Sequence, residues 1–190
     1  MDLNARQQQL LEDLREVGRH LRGETLDRYQ RMNPFAEDLS DWKERGRAWT
    51  SDDRDVTIYD STTVVGDVSI GRGTWVGPFC SLDGTGGLTI GEYCSVSSGC
   101  QLLSHDTARW ALSGGREVYE YAPTAIGNHC FLGTHVVVTR GVTVGDRCLV
   151  AAGAVVTADA AEGSILAGIP ARRIGTVDLR GDGSVDLRYS

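Results

Sequence analysis

The sequence predicts an all-β domain, a three-sided prism wound from short parallel strands and preceded by a helical arm. Three observations point there. An aliphatic residue recurs at every sixth position over most of residues 51–176, whereas before residue 50 the apolar positions follow helical spacing. Glycine makes up 24 of the 190 residues, about 13%, nearly twice the usual ~7%, as a chain with many tight backbone corners requires.

Composition narrows the function classes. With 41% hydrophobic and 24% charged residues the chain is globular, which excludes wholesale disorder. A formal charge of −7 offers no broad attraction for nucleic acid or anionic lipid. The amino end, MDLNARQQQLLEDLRE, lacks the apolar centre of a signal peptide, and no stretch reaches the ~20 apolar residues of a membrane span. A cytoplasmic placement is therefore expected. The five cysteines form no CxxC pair, so they read as reduced, buried thiols rather than a disulfide framework or a zinc ribbon.

Leu3, Leu10, Leu11, Leu14, Val17 and Leu21 lie at helical spacing and predict one amphipathic helix ending near Gly23. A second helix is expected over Phe35 to Arg45, started by Asn33-Pro34 and stopped by Gly46, with Phe35, Leu39 and Trp42 on one stripe. This extension, residues 1–50, either binds a partner or covers the open end of the domain that follows.

From Val56 the period becomes six. The aliphatic column runs Ile58, Val64, Ile70, Val76, Leu82, is reset by two extra residues at Gly84–Gly87, and continues Ile90, Val96, Leu102; it resumes in frame as Ile126, Leu132, Val138, Val144, Val150, Val156. A second column, two residues earlier in each hexad, holds small or medium side chains and all five cysteines: Cys80, Cys94, Cys100, Cys130 and Cys148. Glycine follows the aliphatic residue at positions 71, 77, 91, 127, 133 and 145, where turns are expected. Three hexads close a triangular coil, and at ~4.8 Å per coil the fourteen hexads give a prism roughly 22 Å tall. Both inward columns stack into one continuous core, with Cys130 over Cys148 and Cys80 near Cys100.

The prism opens once. Residues 104–125, SHDTARWALSGGREVYEYAPTA, leave the repeat between two hexads in frame, and long excursions from a rigid repeat carry function. His105 stands at the entry. An imidazole, with an unperturbed pKa near 6.5, suits the removal of a proton from an attacking hydroxyl or amine. Asp83, one coil away, either orients that ring, holds an acceptor's polar groups, or forms an Asp-Gly turn at the insertion. Trp110, Tyr119 and Tyr121 in the loop suit stacking on a sugar or nucleotide, or packing against another subunit.

The run IGNHCFLGTHVVVTRGVTVGDRCLVAAGAVVT, followed by AGIPARRI, resembles the hexapeptide-repeat acyltransferases, nearest in texture to the sugar O- and N-acetyltransferases. The resemblance covers residues 56–176 and implies a left-handed parallel β-helix, a homotrimer with active sites between neighbouring subunits, acetyl-CoA or another acyl-CoA as co-substrate, and no metal. It implies His105 as general base. For the acyl donor it implies Phe131 in place of the usual Trp, then Gly133, Thr134, Ala152, Gly153 and Thr157 along the prism, with Arg172 and Arg173 for the phosphates. A backbone N–H near Gly133 or Thr134 is the expected oxyanion donor. The chain departs from the family at Ala158 and Ala160-Ala161, where Lys and Pro are usual. Gly77-Pro78-Phe79 lacks the sugar-binding Asn of galactoside-type relatives, which points away from simple galactosides. Two other readings stand beside this one: a non-catalytic scaffold, and a zinc enzyme like the gamma-class carbonic anhydrases. The latter would use His105, His129 and His135, although the last two are six residues apart here and five in that class. The tail, 177–190, is expected to be a loose end or a strand on a neighbour.

Overall fold

The structure is a computed structural model and describes residues 4–190; Leu3 lies outside the described residues. The chain divides into two compact units, one ending at Asp41 and the other spanning Trp42–Ser190.

In the first unit α1 (Ala5–Tyr29) opens on a reciprocal cap, in which Asn4 Oδ1 accepts the Gln7 N–H and Gln7 Oε1 accepts the Asn4 N–H, both at 3.0 Å. The expected stop at Gly23 is overridden. The helix runs on to Gln30, whose left-handed backbone (φ 51°) returns its N–H to the Leu26 carbonyl. A single interior glycine costs only ~1 kcal/mol. The last turns are also held by Asp38, whose Oδ1 accepts from Thr25 (3.3 Å) and Asn33 (3.0 Å). The helix expected over Phe35–Arg45 is in fact two. α2 (Phe35–Leu39) ends where Ser40 turns extended, and α3 (Trp42–Thr50) begins the second unit. The stripe of Phe35, Leu39 and Trp42 is therefore split, with Phe35 beside Gly18 of α1 and Leu39 exposed.

α3 closes the first coil of the prism. Gly46 is no stop but a contact point inside α3, where an added Cβ would lie 1.9 Å from the Val56 carbonyl oxygen. Trp42 stacks on Tyr59 at 4.0 Å. Arg45 donates to the Tyr59 and Thr62 carbonyls, and Trp49 Nε1 donates to Val68 O at 2.9 Å. A first coil has no coil above it to take its backbone acceptors, and these side chains supply the missing donors.

The prism has three parallel faces. On the first, Thr57, Trp75, Ser95, Phe131, Leu149 and Ile165 stand in register. The second aligns Thr63, Ser81, Gln101, Val137 and Val155. The third aligns Ile70, Ile90, Ile126 and Val144, with a bridge to Ala160. The strands Thr63–Ile70 and Ser81–Ile90 bend continuously round the corner between the second and third faces. That corner absorbs the two-residue insertion: Val64 pairs with Leu82, but Val68 pairs with Leu88, and the register shifts between Gly66 and Val68.

The aliphatic column is buried throughout apart from Val64, which is half-buried against it. The small column has a second task. Thr62 Oγ1 donates to Gly77 O (2.6 Å) and accepts the Cys80 N–H (3.0 Å), and Thr74 does the same between Gly91 and Cys94. The thiols of Cys94, Cys130 and Cys148 point to the carbonyls of Gly127, Gly145 and Ala161 at 3.0–3.2 Å. Hydroxyl and thiol are thus interchangeable donors that tie each strand to the next corner.

The glycines after the aliphatic column sit at corners, but left-handed φ is needed two residues further on, at Gly73, Phe79, Tyr93, Gly99, His129, His135, Gly141, Arg147 and Gly153. Gly91 is glycine because coils approach closely: an added Cβ would lie 2.6–2.7 Å from Asn128 and the Gly127 carbonyl carbon. Gly91→Ala should cost about 1–3 kcal/mol, read as a lower thermal midpoint. The carboxyl-terminal segment is no loose end. Ala171–Leu179 and Val185–Tyr189 form an antiparallel hairpin that extends the first face.

Candidate active site

The corner between the second and third faces carries Asp83 and His105. Asp83 follows core residue Leu82 in the strand Ser81–Ile90, and His105 leaves the repeat three residues after core residue Leu102, which pairs with Leu82. Asp83 is buried, and four donors meet its carboxylate. Oδ1 accepts the Thr85 N–H (3.0 Å) and the Thr85 hydroxyl; Oδ2 accepts the Ser104 N–H (3.0 Å) and lies 2.5 Å from His105 Nδ1. Burial works against the charged form, but the Thr85 hydroxyl, the Ser104 and Thr85 N–H groups and the His105 ring outweigh it. They hold the carboxyl well below the usual carboxylate range.

An ionised carboxylate only accepts, so the proton on the neutral ring resides on Nδ1 and the lone pair on Nε2. The His105 side chain is 35% exposed, so the ring is reachable from solvent. Both oxygens of Asp83 are occupied within the chain, Oδ1 by Thr85 and Oδ2 by Ser104 and His105.

The sign of the pH effect follows from the direction of the shift. A carboxylate depressed in the folded state contributes stability above its unfolded pKa of ~3.9 and loses it as pH falls through the folded value. The stability advantage of the native protein over Asp83→Asn should not diminish from about pH 8 to about pH 5 and should be lost at lower pH. Chemical unfolding of both proteins across that range measures it.

The excursion is pinched at its neck. Ala122 N–H donates to Ser104 O at 2.9 Å, and a short antiparallel ribbon pairs His105 with Tyr121 and Asp106 with Glu120. The Tyr121 ring lies 6.0 Å from the His105 ring at 25°. Arg140, on the next coil, joins Asp106 and Glu120 (3.0 Å) and so holds both strands of the ribbon. Its guanidinium keeps the Asp106 carboxyl below the ordinary range. Further out, α4 (Ala108–Leu112) carries Trp110, which packs edge-on against Tyr119 at 5.5 Å. Sequence reasoning missed Thr85, Ser104 and Arg140. The Asp-Gly-Thr spacing was a usable signal for the first; nothing local marks the other two.

The residues implied for the acyl donor occupy several places on the prism. Thr134, Ala152 and Gly153 stack at the corner between the first and second faces, where Gly153 N–H donates to Thr134 O (2.8 Å). Thr157 lies on the same edge as His105, beyond Arg140. Phe131 is on the first face, lining a groove of about 510 Å³ with Leu149 and the terminal hairpin's Val177, Leu179, Val185 and Leu187. Arg172 and Arg173 lie on that hairpin, paired with Ala167 and Leu166. Within one chain Asp83, His105 and Tyr121 converge, but Phe131, Arg172 and Arg173 are on another face. Gly133 is corrected as an oxyanion donor, because its N–H is taken by Val150 O at 2.8 Å. His129 and His135 stand at different corners, His129 stacked on Tyr93 at 5.7 Å and His135 over Gly99. Among the described residues no three His, Cys, Asp or Glu side chains gather as a metal site. Among them, too, no helix is long and apolar enough to cross a membrane.

Comparison with known proteins agrees with this architecture. Residues 123–158 match the family described as the hexapeptide repeat of succinyl-transferase. The galactoside O-acetyltransferase of Escherichia coli (strain K12) is 33% identical over 94 residues, covering 49% of this chain and 46% of that protein. The chain thus matches under half the length of that relative. AntD, an N-acyltransferase from Bacillus cereus solved with dTDP and 3-hydroxybutyryl-CoA, superposes with a TM-score of 0.58 at 19% identity, over 64% of this chain and 69% of its own. A maltose O-acetyltransferase from Clostridium difficile 630 gives 0.50 at 20% identity, over 88% and 86%. The stacked hexads are those of a left-handed parallel β-helix. The chain thus carries the hexapeptide repeat and is similar to sugar acetyltransferases built on it.

Proposed function

We propose that the protein transfers an acyl group from acyl-CoA, with acetyl-CoA the first choice, to a hydroxyl or amine of a sugar or nucleotide-sugar. The observation that carries the reading is the Asp83–His105 pair at the mouth of the excursion, 2.5 Å apart with the imidazole open to solvent. Nε2 takes the proton of the acceptor as its oxygen or nitrogen attacks the thioester carbonyl. The C–S bond then breaks, and the departing CoA thiolate takes that proton back, so the imidazole ends neutral. Asp83 fixes the ring and its tautomer, and the Thr134 N–H is the proposed oxyanion donor.

The scatter of donor-side residues over different faces supports a homotrimer, in which one subunit brings His105 to the Thr134–Gly153 edge of its neighbour. Trp110, Tyr119 and Tyr121 are the proposed acceptor-binding rings, and Phe131, Ala152, Thr157, Arg172 and Arg173 the proposed contacts for CoA. The acceptor is sought by following release of the CoA thiol from acetyl-CoA against a panel of sugars, aminosugars and nucleotide-sugars. Turnover with one of them is expected. Absence of turnover together with absence of thermal stabilisation by CoA would overturn the reading, because a ligand at 100 times its Kd adds ~2.7 kcal/mol.

A further inference from the structure

We propose that α1 pairs with the α1 of a second copy of this chain as an antiparallel two-helix coil. Leu10, Leu14, Val17 and Leu21 follow the alternating four- and three-residue spacing of a coiled-coil seam. That seam is largely uncovered, with Leu10 58%, Leu14 46% and Val17 46% exposed, and Gly18 is the one buried residue of the helix. Most of a helix's stability in water comes from packing its apolar face, so a 25-residue helix with an open seam calls for a partner.

The charges say which partner, and in which direction. In an antiparallel pair Leu10 meets the second copy's Leu21 and Leu14 meets its Val17. The positions flanking the seam on one side then bring Arg6 against Asp27 and Asp13 against His20, each twice by symmetry, while Gln7 enters the seam opposite Glu24. A parallel pair would instead stack Glu24 on Glu24 and Arg28 on Arg28 in the seam and bring no opposite charges together beside it. On the other flank, Leu11 of one helix faces Gly18 and the Phe35 ring that covers it on the other. There a cleft of about 410 Å³ is lined by Leu11, Leu14, Gly18 and Phe35 together with Arg15, Arg19 and Arg22. One surface is complementary to itself under a two-fold axis, as a symmetric dimer contact must be.

The test is the mass of the full-length protein in solution, by light scattering or sedimentation over a range of concentrations. The double variant Leu14→Glu, Val17→Glu should have half the native mass. Arg6→Asp, which places two aspartates together only in the antiparallel pair, should raise the concentration at half-association at least tenfold, and Arg6→Asp with Asp27→Arg should restore it. Residues 6 and 27 lie roughly 30 Å apart along one helix, so a parallel pair gives no such rescue. An unchanged mass in the double glutamate variant, a neutral Arg6→Asp, or failure of the second substitution to rescue the first would each overturn the proposal. None of these readouts depends on acyltransferase activity.

Discussion

Replacement of His105 by alanine is expected to lower kcat by roughly 10²- to 10⁴-fold, the range a positioned general base contributes, while acyl-CoA still stabilises the protein against heat. The ring projects from the neck of the excursion and makes no contribution to the aliphatic core, so its loss leaves the prism standing. The acceptor must then attack without a base to receive its proton. Steady-state kinetics with a responding acceptor, run beside a thermal shift with CoA, separate the loss of chemistry from a loss of binding. Full turnover by this variant would remove His105 from the mechanism.

Asp83→Asn is expected to reduce kcat by roughly 10²-fold or more with little change in KM for acyl-CoA, since an amide at this position fixes the imidazole in the wrong tautomer. The carboxylate has four donors around it, from Thr85, Ser104 and His105. An amide has one oxygen, so whichever way it turns, its NH₂ faces groups that also donate. If it faces His105, Nδ1 must accept, and the proton moves to Nε2, the atom required as base. A variant that keeps kcat but unfolds at lower temperature would reduce Asp83 to a corner residue.

The prism was legible because one rule repeats. Leu82, Leu102 and Val138 are each predicted by the others, and their register in space follows from counting hexads. Asp83 and His105 inherit that register and could be placed beside each other before any coordinates. Gly23 and Gly46 misled because a helix boundary is a local signal that packing overrides: Asp38 ties down the turns beyond Gly23, and Val56 needs Gly46 inside α3. The terminal hairpin was missed because its polar residues are paired at the surface, Arg188 with Asp178 across strands and with Asp186 along its own strand, rather than buried in a pattern. Arg140 occupies an ordinary corner and gains importance only from the ribbon folded over it.

The neck of the excursion bears on how this molecule can vary. Leu102 pairs with Val138 thirty-six residues on, whereas Val138 pairs with Val156 after eighteen, so the ejected segment has the length of one complete turn of the spiral. Cutting out residues 105–122 would leave Ser104 followed by Pro123 and every later hexad in step. The segment is therefore a cassette: beyond the neck formed by His105, Asp106 and Glu120 its residues can be exchanged, which under the proposed function would retune the acceptor, while the scaffold underneath keeps its count.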